Sequence, residues 1–600
     1  MTQTKLFERT HYCADVLTSR LGDEVIVAGW VRKRRDLGKL IFVDLYDRTG
    51  VLQVVFDPER NPELMNSAGD LKRESVLVVK GNVSERPPDA RNPEMLTGNL
   101  ELIATQMRVF NTSKVPPFHL IGDQEVTEEL RLKFRYLDLR RPEMFRIMKI
   151  RHDTQQIVHQ FYSDHGFMEI VTPHLIRSTP EGARDFLVPS RLHKGSSYAL
   201  PQSPQMLKQM LMIAGVDRYF QIVKCFRDED SRADRQPEFS QIDVEMSFTA
   251  TDTLFNIHEA LMQKIFHKVL NVSVECPFPR ISYQEAMEHY GSDKPDVRFE
   301  LKIKDITDLC MGSGFGVIDN IIEKGGIVRG VRYPGGASLS RKQIQDLESI
   351  VKVRGAGGLV ALRIANDGNI SGSPLVDLLT PSQRDTLKST LNATANDLIC
   401  IVAGMKSIVE NSLGTLRLHI AKQLKLMTDD LAFTWVTDFP LLEYDEIEKR
   451  YQAMHHPFTA PHPEDLDLLE SNPQACRAQA YDLVLNGVEL GGGSVRIHDR
   501  ILQNRVFQAI GMSQEDAQKR FGFFLEALEY GTPPHCGIAF GMDRLIMMLA
   551  GTDNLRDVIP FPKTLQAVCL LTAAPSPVTN EQLEVLGIKL INDQQKHCET

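Results

Sequence analysis

Between Tyr219 and Met246 two strand-like runs flank a charged loop, and the alternation in the second run fixes what each of its faces touches. Phe239, Gln241, Asp243 and Glu245 fall on one face and Ile242, Val244 and Met246 on the other, as the period of two in a β-strand requires. A polar face backed by an apolar one reads as the floor of a site for a polar ligand. The first run, Tyr219 to Arg227, sets Phe220, Ile222 and Phe226 on one side and Gln221, Val223 and Arg227 on the other, so it delivers a guanidinium to the loop. Arg227 is a candidate oxyanion clamp because its planar fork bonds bidentately. An antiparallel hairpin with a solvated charged tip shows the same pattern, so support has to come from elsewhere in the chain.

Two further segments supply it. In Gly537-Ile-Ala-Phe-Gly-Met-Asp-Arg544 the small residues Gly537, Ala539 and Gly541 share a strand face against which a flat ligand can lie. The apolar run Leu545 to Leu549 then places Arg544 near a strand-to-helix junction, as a fixed positive charge suited to a triphosphate. In Tyr481 to Arg496, Asn486-Gly487 is a two-residue hairpin turn. It pairs Leu485 with Val488 and Val484 with Glu489, so Asp482 and Glu489 emerge on one side as hard oxygen donors suited to magnesium shared with phosphates. Gly491 to Gly493 would let a ligand approach the backbone closely.

Together these elements resemble the class II aminoacyl-tRNA synthetases, with motif 2 at Phe226-Arg-Asp-Glu229 through Phe239 and motif 3 at Gly537 to Arg544. Motif 1, at Phe167-Met-Glu-Ile-Val-Thr-Pro173, implies a homodimer. Thr179-Pro-Glu-Gly-Ala-Arg-Asp185, Gln202-Ser-Pro-Gln-Met-Leu-Lys208, Met454-His-His-Pro-Phe458 and Gly491-Gly-Gly-Ser-Val-Arg496 narrow the resemblance to the bacterial-type aspartyl branch, over nearly the whole chain. The resemblance implies activation of L-aspartate by ATP to aspartyl-adenylate and its transfer to the 3′ end of tRNA(Asp). Arg227 and Arg544 would hold the phosphates, Phe239 would stack the adenine, Glu229 would face its amino group, and Asp482 and Glu489 would hold Mg2+. Lys208 and Arg496 would bind the side-chain carboxylate of aspartate, with Glu181, Ser203, Gln205, Gln241 and Asp243 around the remainder and His455 touching the substrate. Adjacent His455 and His456 are poorly spaced for a shared metal. Arg227, Arg544 and Lys208 carry the chemistry, which is positioning and charge stabilisation of an in-line displacement; no nucleophilic side chain is required.

Six hundred residues exceed what a single core supports, so several domains are expected. The fold class expected is a multidomain α/β protein: an N-terminal five-stranded OB-type β-barrel, then an antiparallel-sheet catalytic domain of the class II type carrying an inserted α+β domain. The expected boundaries are 1–115 for the barrel, 116–143 for a hinge, 144–296 and 428–600 for the two parts of the catalytic domain, and 297–427 for the insertion. Short β-type runs without a long helix, from Val25 to Phe110, carry the barrel expectation. By resemblance this barrel grips the anticodon, with Arg35, Asp36, Leu37, Phe42 and Gln53 at contact positions. A lone strand aromatic such as Phe42 is otherwise more often barrel core.

A net charge of −10 argues against a general nucleic-acid binder, so RNA contact has to be local. Arg32 to Arg35 and Arg131 to Arg141 are the basic clusters available, each more often a solvated face than a contact. Nine cysteines without a C-x-x-C pair indicate free thiols rather than zinc or disulfides. No apolar stretch is long enough for a membrane, and the N-terminus lacks a secretory or transit pattern, so a cytoplasmic location is expected. Leu37 occupies a position where relaxed family members often carry histidine, which favours strict tRNA(Asp) specificity, whereas the loop around Pro88 and Asp89 fits neither pattern. The alternatives are a non-discriminating aspartate–tRNA(Asp/Asn) ligase and, more remotely, an inactive RNA-binding paralogue.

Overall fold

The computed structural model describes residues 8–122, 125–179, 183–229 and 235–590. The chain forms two compact units, one of residues 1–149 with 560–562 and 569–574, the other of 150–559 with 563–568 and 575–600.

In the first unit, strands Glu24–Asp36, Ile41–Tyr46, Val51–Phe56, Leu100–Asn111 and Val76–Glu85 close a barrel in that order. All pairs are antiparallel except Val51–Phe56 with Leu100–Asn111. Strict alternation drives the closure: Val25, Val27, Ile41, Val43, Leu45, Leu52 and Val54 point into one apolar core. Phe42 and Asp44, one residue out of phase with that set, are half-buried outside it. Phe42 is therefore not barrel core.

The basic stretch from Arg131 to Arg141 is less of a solvated face than its charges imply. Asp138 is fully buried, and Arg131 Nε (3.0 Å), Arg135 Nη1 (2.6 Å) and Arg141 Nη1 (3.6 Å) converge on its carboxylate. A carboxylate that would be costly to bury alone is compensated here by three guanidinium groups.

The second unit is built on an eight-stranded sheet in the order Arg280–Ser282, Phe433–Thr437, Ala480–Leu485, Val488–Val495, His535–Gly541, Glu238–Ser247, Arg218–Phe226, Met168–Glu169. The central pairs are antiparallel, and the edge strands Arg280–Ser282 and Met168–Glu169 pair in parallel. Apolar residues of helix Thr251–Leu270, among them Leu254, Phe255 and Leu261, are fully buried, and Phe255 stacks on Trp435.

The parallel pairing of Arg280–Ser282 with Phe433–Thr437 requires a crossover. Within that crossover stands an insertion with its own five-stranded antiparallel sheet, ordered Lys304–Asp305, Ile327–Tyr333, Leu398–Gly404, Val360–Ile364, Ile370–Ser371. Its central strand is apolar on both faces. Leu398, Cys400 and Val402 pack with helices Arg341–Val353 and Lys406–Gln423, while Ile399 and Ile401 pack with helices Gly316–Glu323 and Pro381–Thr390.

Candidate functional site

Strand register builds the floor of the site. Gln241, Asp243 and Glu245 lie directly opposite Gly541, Ala539 and Gly537. The small residues are required by that pairing: a Cβ on Gly537 would stand 1.9 Å from Glu245 Oε2. Gly537 therefore makes room for a protein carboxylate, while Ala539 and Gly541 alone of the three line the cavity above the sheet. The same reason holds for Gly492, whose Cβ would come within 2.3 Å of Asp482 Oδ1. The cavity measures about 460 Å³ and is walled by residues from the four central strands, helix Gln205–Ile213, the Met454–His456 segment and the start of helix Met542–Ala550.

One end of the cavity is a buried lattice of opposite charges. Lys208 Nζ pairs with Asp243 Oδ1 and with Glu245 Oε2 (3.1 Å), and Arg496 grips Glu245 through Nε (3.0 Å) and Nη2 (3.2 Å). All four side chains are at most 2% exposed. Arg496 Nη1 also bonds His456 Nε2 (2.7 Å) and Ser494 Oγ (2.6 Å). Burial opposes ionisation of Glu245, but Arg496, Lys208 and His535 outweigh it and hold the carboxyl down at about 2. Asp243 goes the other way: burial dominates and raises it despite Lys208. Its Oδ2 is buried without a hydrogen-bond partner. Burial pushes His455 down to about 4 and His456 well below the usual imidazole range, so both are neutral donors or acceptors.

At the other end Asp482 and Glu489 share the wall. The Asn486-Gly487 turn has φ of 53° and 81°, and it pairs Leu485 with Val488 and Val484 with Glu489. A bulge at Leu490 then shifts the register so that Asp482 faces Gly492. Burial, reinforced by Glu489, pushes Asp482 well above the usual carboxylate range, and its Oδ1 has no hydrogen-bond partner. Burial works against ionised Glu489 too, yet Lys294 and Arg544 hold it below that range. Lys294 Nζ is 3.0 Å from Glu489 Oε2, and Arg544 Nη1 donates to the Glu489 carbonyl at 2.7 Å. Arg227 sits over the Phe239 ring, 5.2 Å from its centroid, and Arg235 Nη1 bonds Glu229 Oε2 at 2.8 Å. Asp543 is structural: its Oδ2 accepts from the Ser240 amide (2.8 Å) and its Oδ1 pairs with Arg151, tying the helix after the strand to the floor.

The cavity thus brings together Ser203, Gln205, Lys208, Arg227, Glu229, Phe239, Gln241, Asp243, His455, Asp482, Glu489, Arg496 and Arg544 from segments far apart in sequence. Glu181 lies outside the described residues. Sequence reasoning did not anticipate Glu245 as the partner of Lys208 and Arg496, although its place on the polar face of the strand was the available signal. It also missed Lys294, which carries no motif, and the bond from His456 to Arg496. Among the described residues no group of three or more His, Cys, Asp or Glu is arranged to hold a metal by itself.

The barrel has its own cluster, within the first unit. Arg35 Nη2 donates to Asp44 Oδ1 (2.7 Å) and Gln53 Oε1 (2.9 Å), and Gln53 Nε2 donates to Glu101 Oε2 (2.8 Å). Gln53 is therefore buried beneath Arg35 rather than offered to solvent. The Arg35 guanidinium lies 5.9 Å from the Phe42 centroid, and the loop beyond exposes Asp36 and Leu37.

Residues 127–565 match the family of class II tRNA synthetases (D, K and N), and residues 25–110 match the OB-fold nucleic acid binding domain. A Bacillus cereus (strain B4264) protein named Aspartate--tRNA(Asp/Asn) ligase is 53% identical over 591 residues, covering 98% of this chain and all of the relative. A protein of the same name from Bacillus thuringiensis (strain Al Hakam) is 52% identical with the same coverage. Among solved structures, asparaginyl-tRNA synthetase from Pyrococcus horikoshii complexed with asparaginyl-adenylate matches with a TM-score of 0.58 at 20% identity, over 93% of this chain and 98% of that one. Aspartyl tRNA synthetase from Entamoeba histolytica matches at 0.56 and 17%, over 93% and 92%. At these identities the solved structures speak to the fold.

Proposed function

The chain belongs to the class II tRNA synthetases, and from that premise we propose that it is an ATP-dependent aspartate–tRNA ligase that forms aspartyl-adenylate and passes the aspartyl group to the 3′ end of tRNA(Asp). The observation that carries the choice of amino acid is the pair of buried cations, Lys208 and Arg496, at one end of the cavity. Lys208 has one N–H beyond its two carboxylate contacts, and Arg496 Nη2 has one beyond its bond to Glu245. An aspartate side chain completes that donor set, and its ammonium suits the unpartnered Oδ2 of Asp243, with Ser203, Gln205 and Gln241 around it. The side-chain carboxylate and the ammonium thus each meet an opposite charge, as a low-dielectric pocket requires. An asparagine amide brings no charge to the cations.

ATP then extends toward Arg227, Phe239, Glu229 and Arg544. Phe239 offers the face on which adenine stacks once Arg227 leaves it for the phosphates, and Arg544 reaches the triphosphate from the opposite wall. Mg2+ fits the Asp482 and Glu489 end, where two oxygen donors meet and one buried oxygen lacks a partner. When bound there it would supply charge neutralisation to the phosphates. The protein's own part is to hold the aspartate carboxylate in line with the α-phosphorus while Arg227 and Arg544 stabilise charge on the departing pyrophosphate.

The division of labour follows the expected boundaries: barrel 1–115 for the anticodon through Arg35, Asp36, Leu37 and Phe42, with Gln53 supporting Arg35 from beneath, a hinge at 116–143, catalysis in 144–296 and 428–600, and the insertion at 297–427. A homodimer and a cytoplasmic location belong to the same reading. No helix among the described residues is long and apolar enough to cross a membrane, and the eight described cysteines are free thiols. The name shared by the Bacillus relatives favours a second reading, in which tRNA(Asn) is charged as well. Aspartate-dependent exchange of pyrophosphate into ATP tests the pocket assignment: Lys208→Met should abolish it, and near-normal exchange would refute the assignment.

A further inference from the structure

Lys294 enters the catalytic cavity from the stem of the insertion. The segment Gly291 to Arg298 leaves helix Tyr283–Tyr290, passes the tip of the Tyr481–Arg496 hairpin and continues into the inserted sheet. Three contacts fix its path. A Cβ on Gly487 would stand 3.2 Å from Asp296 Cβ, so the stem lies against the hairpin turn. Arg298 clasps the Asp296 carboxylate through Nε (2.9 Å) and Nη2 (2.6 Å) and donates from Nη1 to the Thr428 carbonyl (2.6 Å), which joins the outgoing stem to the returning one. Arg417, 1% exposed on the insertion helix Lys406–Gln423, donates from Nη2 to the carbonyls of Asp296 (2.9 Å) and Phe299 (3.0 Å). The insertion thereby holds Lys294 Nζ 3.0 Å from Glu489 Oε2, in a wall that also contains Asp293, Asp482 and Arg544.

We propose that Lys294 is a positioning residue that acts as a built-in counter-cation for the Asp482 and Glu489 pair, occupying the place of a divalent cation until MgATP arrives and then serving the triphosphate. The inference rests on the reading of this cavity end as a metal–ATP site. Asp482, buried, and Glu489, 28% exposed at its side chain, face one cavity, and a cation seated on Glu489 competes directly with a metal ion bound there. Arg544 approaches the Glu489 carboxylate only to 4.0 Å, whereas Lys294 touches it. Lys294 is 40% exposed at its side chain and lies on a long flexible stem of methylenes, so it can exchange one anion for another without leaving the cavity.

The test separates this role from a merely structural one because it predicts opposite signs for two measurements on the full-length protein. Lys294→Met should bind Mn2+ alone, without ATP, about tenfold more tightly by paramagnetic resonance titration, since its competitor is gone. The same variant should show a KM for MgATP raised about tenfold in pyrophosphate exchange. Lys294→Arg should restore both values. Weaker Mn2+ binding together with a raised KM would mean that Lys294 only shapes Glu489, and would overturn the proposal, as would two unchanged values. Wild-type protein without aspartate-dependent exchange would instead remove the metal–ATP reading beneath it.

Discussion

Gly537 lies directly across the ladder from Glu245, and any side chain on it would drive into the Glu245 carboxylate. A glycine in a central strand normally weakens it by its freedom and by its missing side chain. Here it is the condition for burying an acid that organises two cations. Gly537→Ala should cost about 1–3 kcal/mol of stability by overpacking. It should also raise the KM for aspartate far more than that for ATP, because the displaced carboxylate is the one that aims Lys208 and Arg496. Denaturation midpoints and substrate titrations of pyrophosphate exchange check both; equal effects on the two substrates would contradict the assignment.

Glu245 itself predicts a larger effect. Glu245→Ala leaves Lys208 and Arg496 buried with only Asp243 between them, and removing one partner from a buried ion pair typically costs about 3–5 kcal/mol. Chemical denaturation should show that loss, and aspartate-dependent exchange should fall by at least about 100-fold, which corresponds to about 2.7 kcal/mol. Glu245→Gln, which keeps the shape and one acceptor, should lose less of both.

Buried neutral histidine sets an acid limb. His455 titrates near pH 4 when folded because burial disfavours its cation, and Glu489 only partly offsets that. Unfolded, it takes up a proton near pH 6.5. Its contribution to stability is therefore complete above about pH 6.5 and is lost as pH falls toward 4, by at most about 3 kcal/mol. His455→Asn should flatten the fall in urea midpoint between pH 7 and pH 4.5. A fall as steep as in the wild type would show that other groups carry it, foremost the neighbouring His456 and the fully buried His258, both also pushed down by burial.

In the barrel, Gln53 links Arg35 to Glu101. Gln53→Ala removes one acceptor from Arg35 and one donor from Glu101, so Arg35, still paired with Asp44, is held less firmly beside Phe42. The expected result is a KM for tRNA raised about five- to tenfold in aspartylation, with tRNA-independent pyrophosphate exchange unchanged. A change in exchange would point to a fold defect rather than to anticodon recognition.

What was legible in the sequence was local. The alternation of Phe239 to Met246 and the Asn486-Gly487 turn are dictated by period and by turn chemistry, and both appear in the expected register. The bulge at Leu490 was not legible, since nothing in a glycine run announces which residue will be left unpaired. Contacts made by tertiary packing were equally hidden. Lys294 comes from the stem of an inserted domain, and the basic residues at 131 to 141 look like a solvated face until Asp138 is seen buried among them. Glu245 stood on the predicted polar face, but its weight comes from Lys208 and Arg496, which only the folded sheet brings to it.

Aspartylation of purified tRNA(Asp) and, in parallel, tRNA(Asn) by the full-length protein with ATP and Mg2+ tests the account most directly. Charging of tRNA(Asp) alone is the predicted result, and charging of both would replace strict specificity by the relaxed reading that the Bacillus relatives' name suggests. Failure to charge tRNA(Asp) with aspartate would contradict the account.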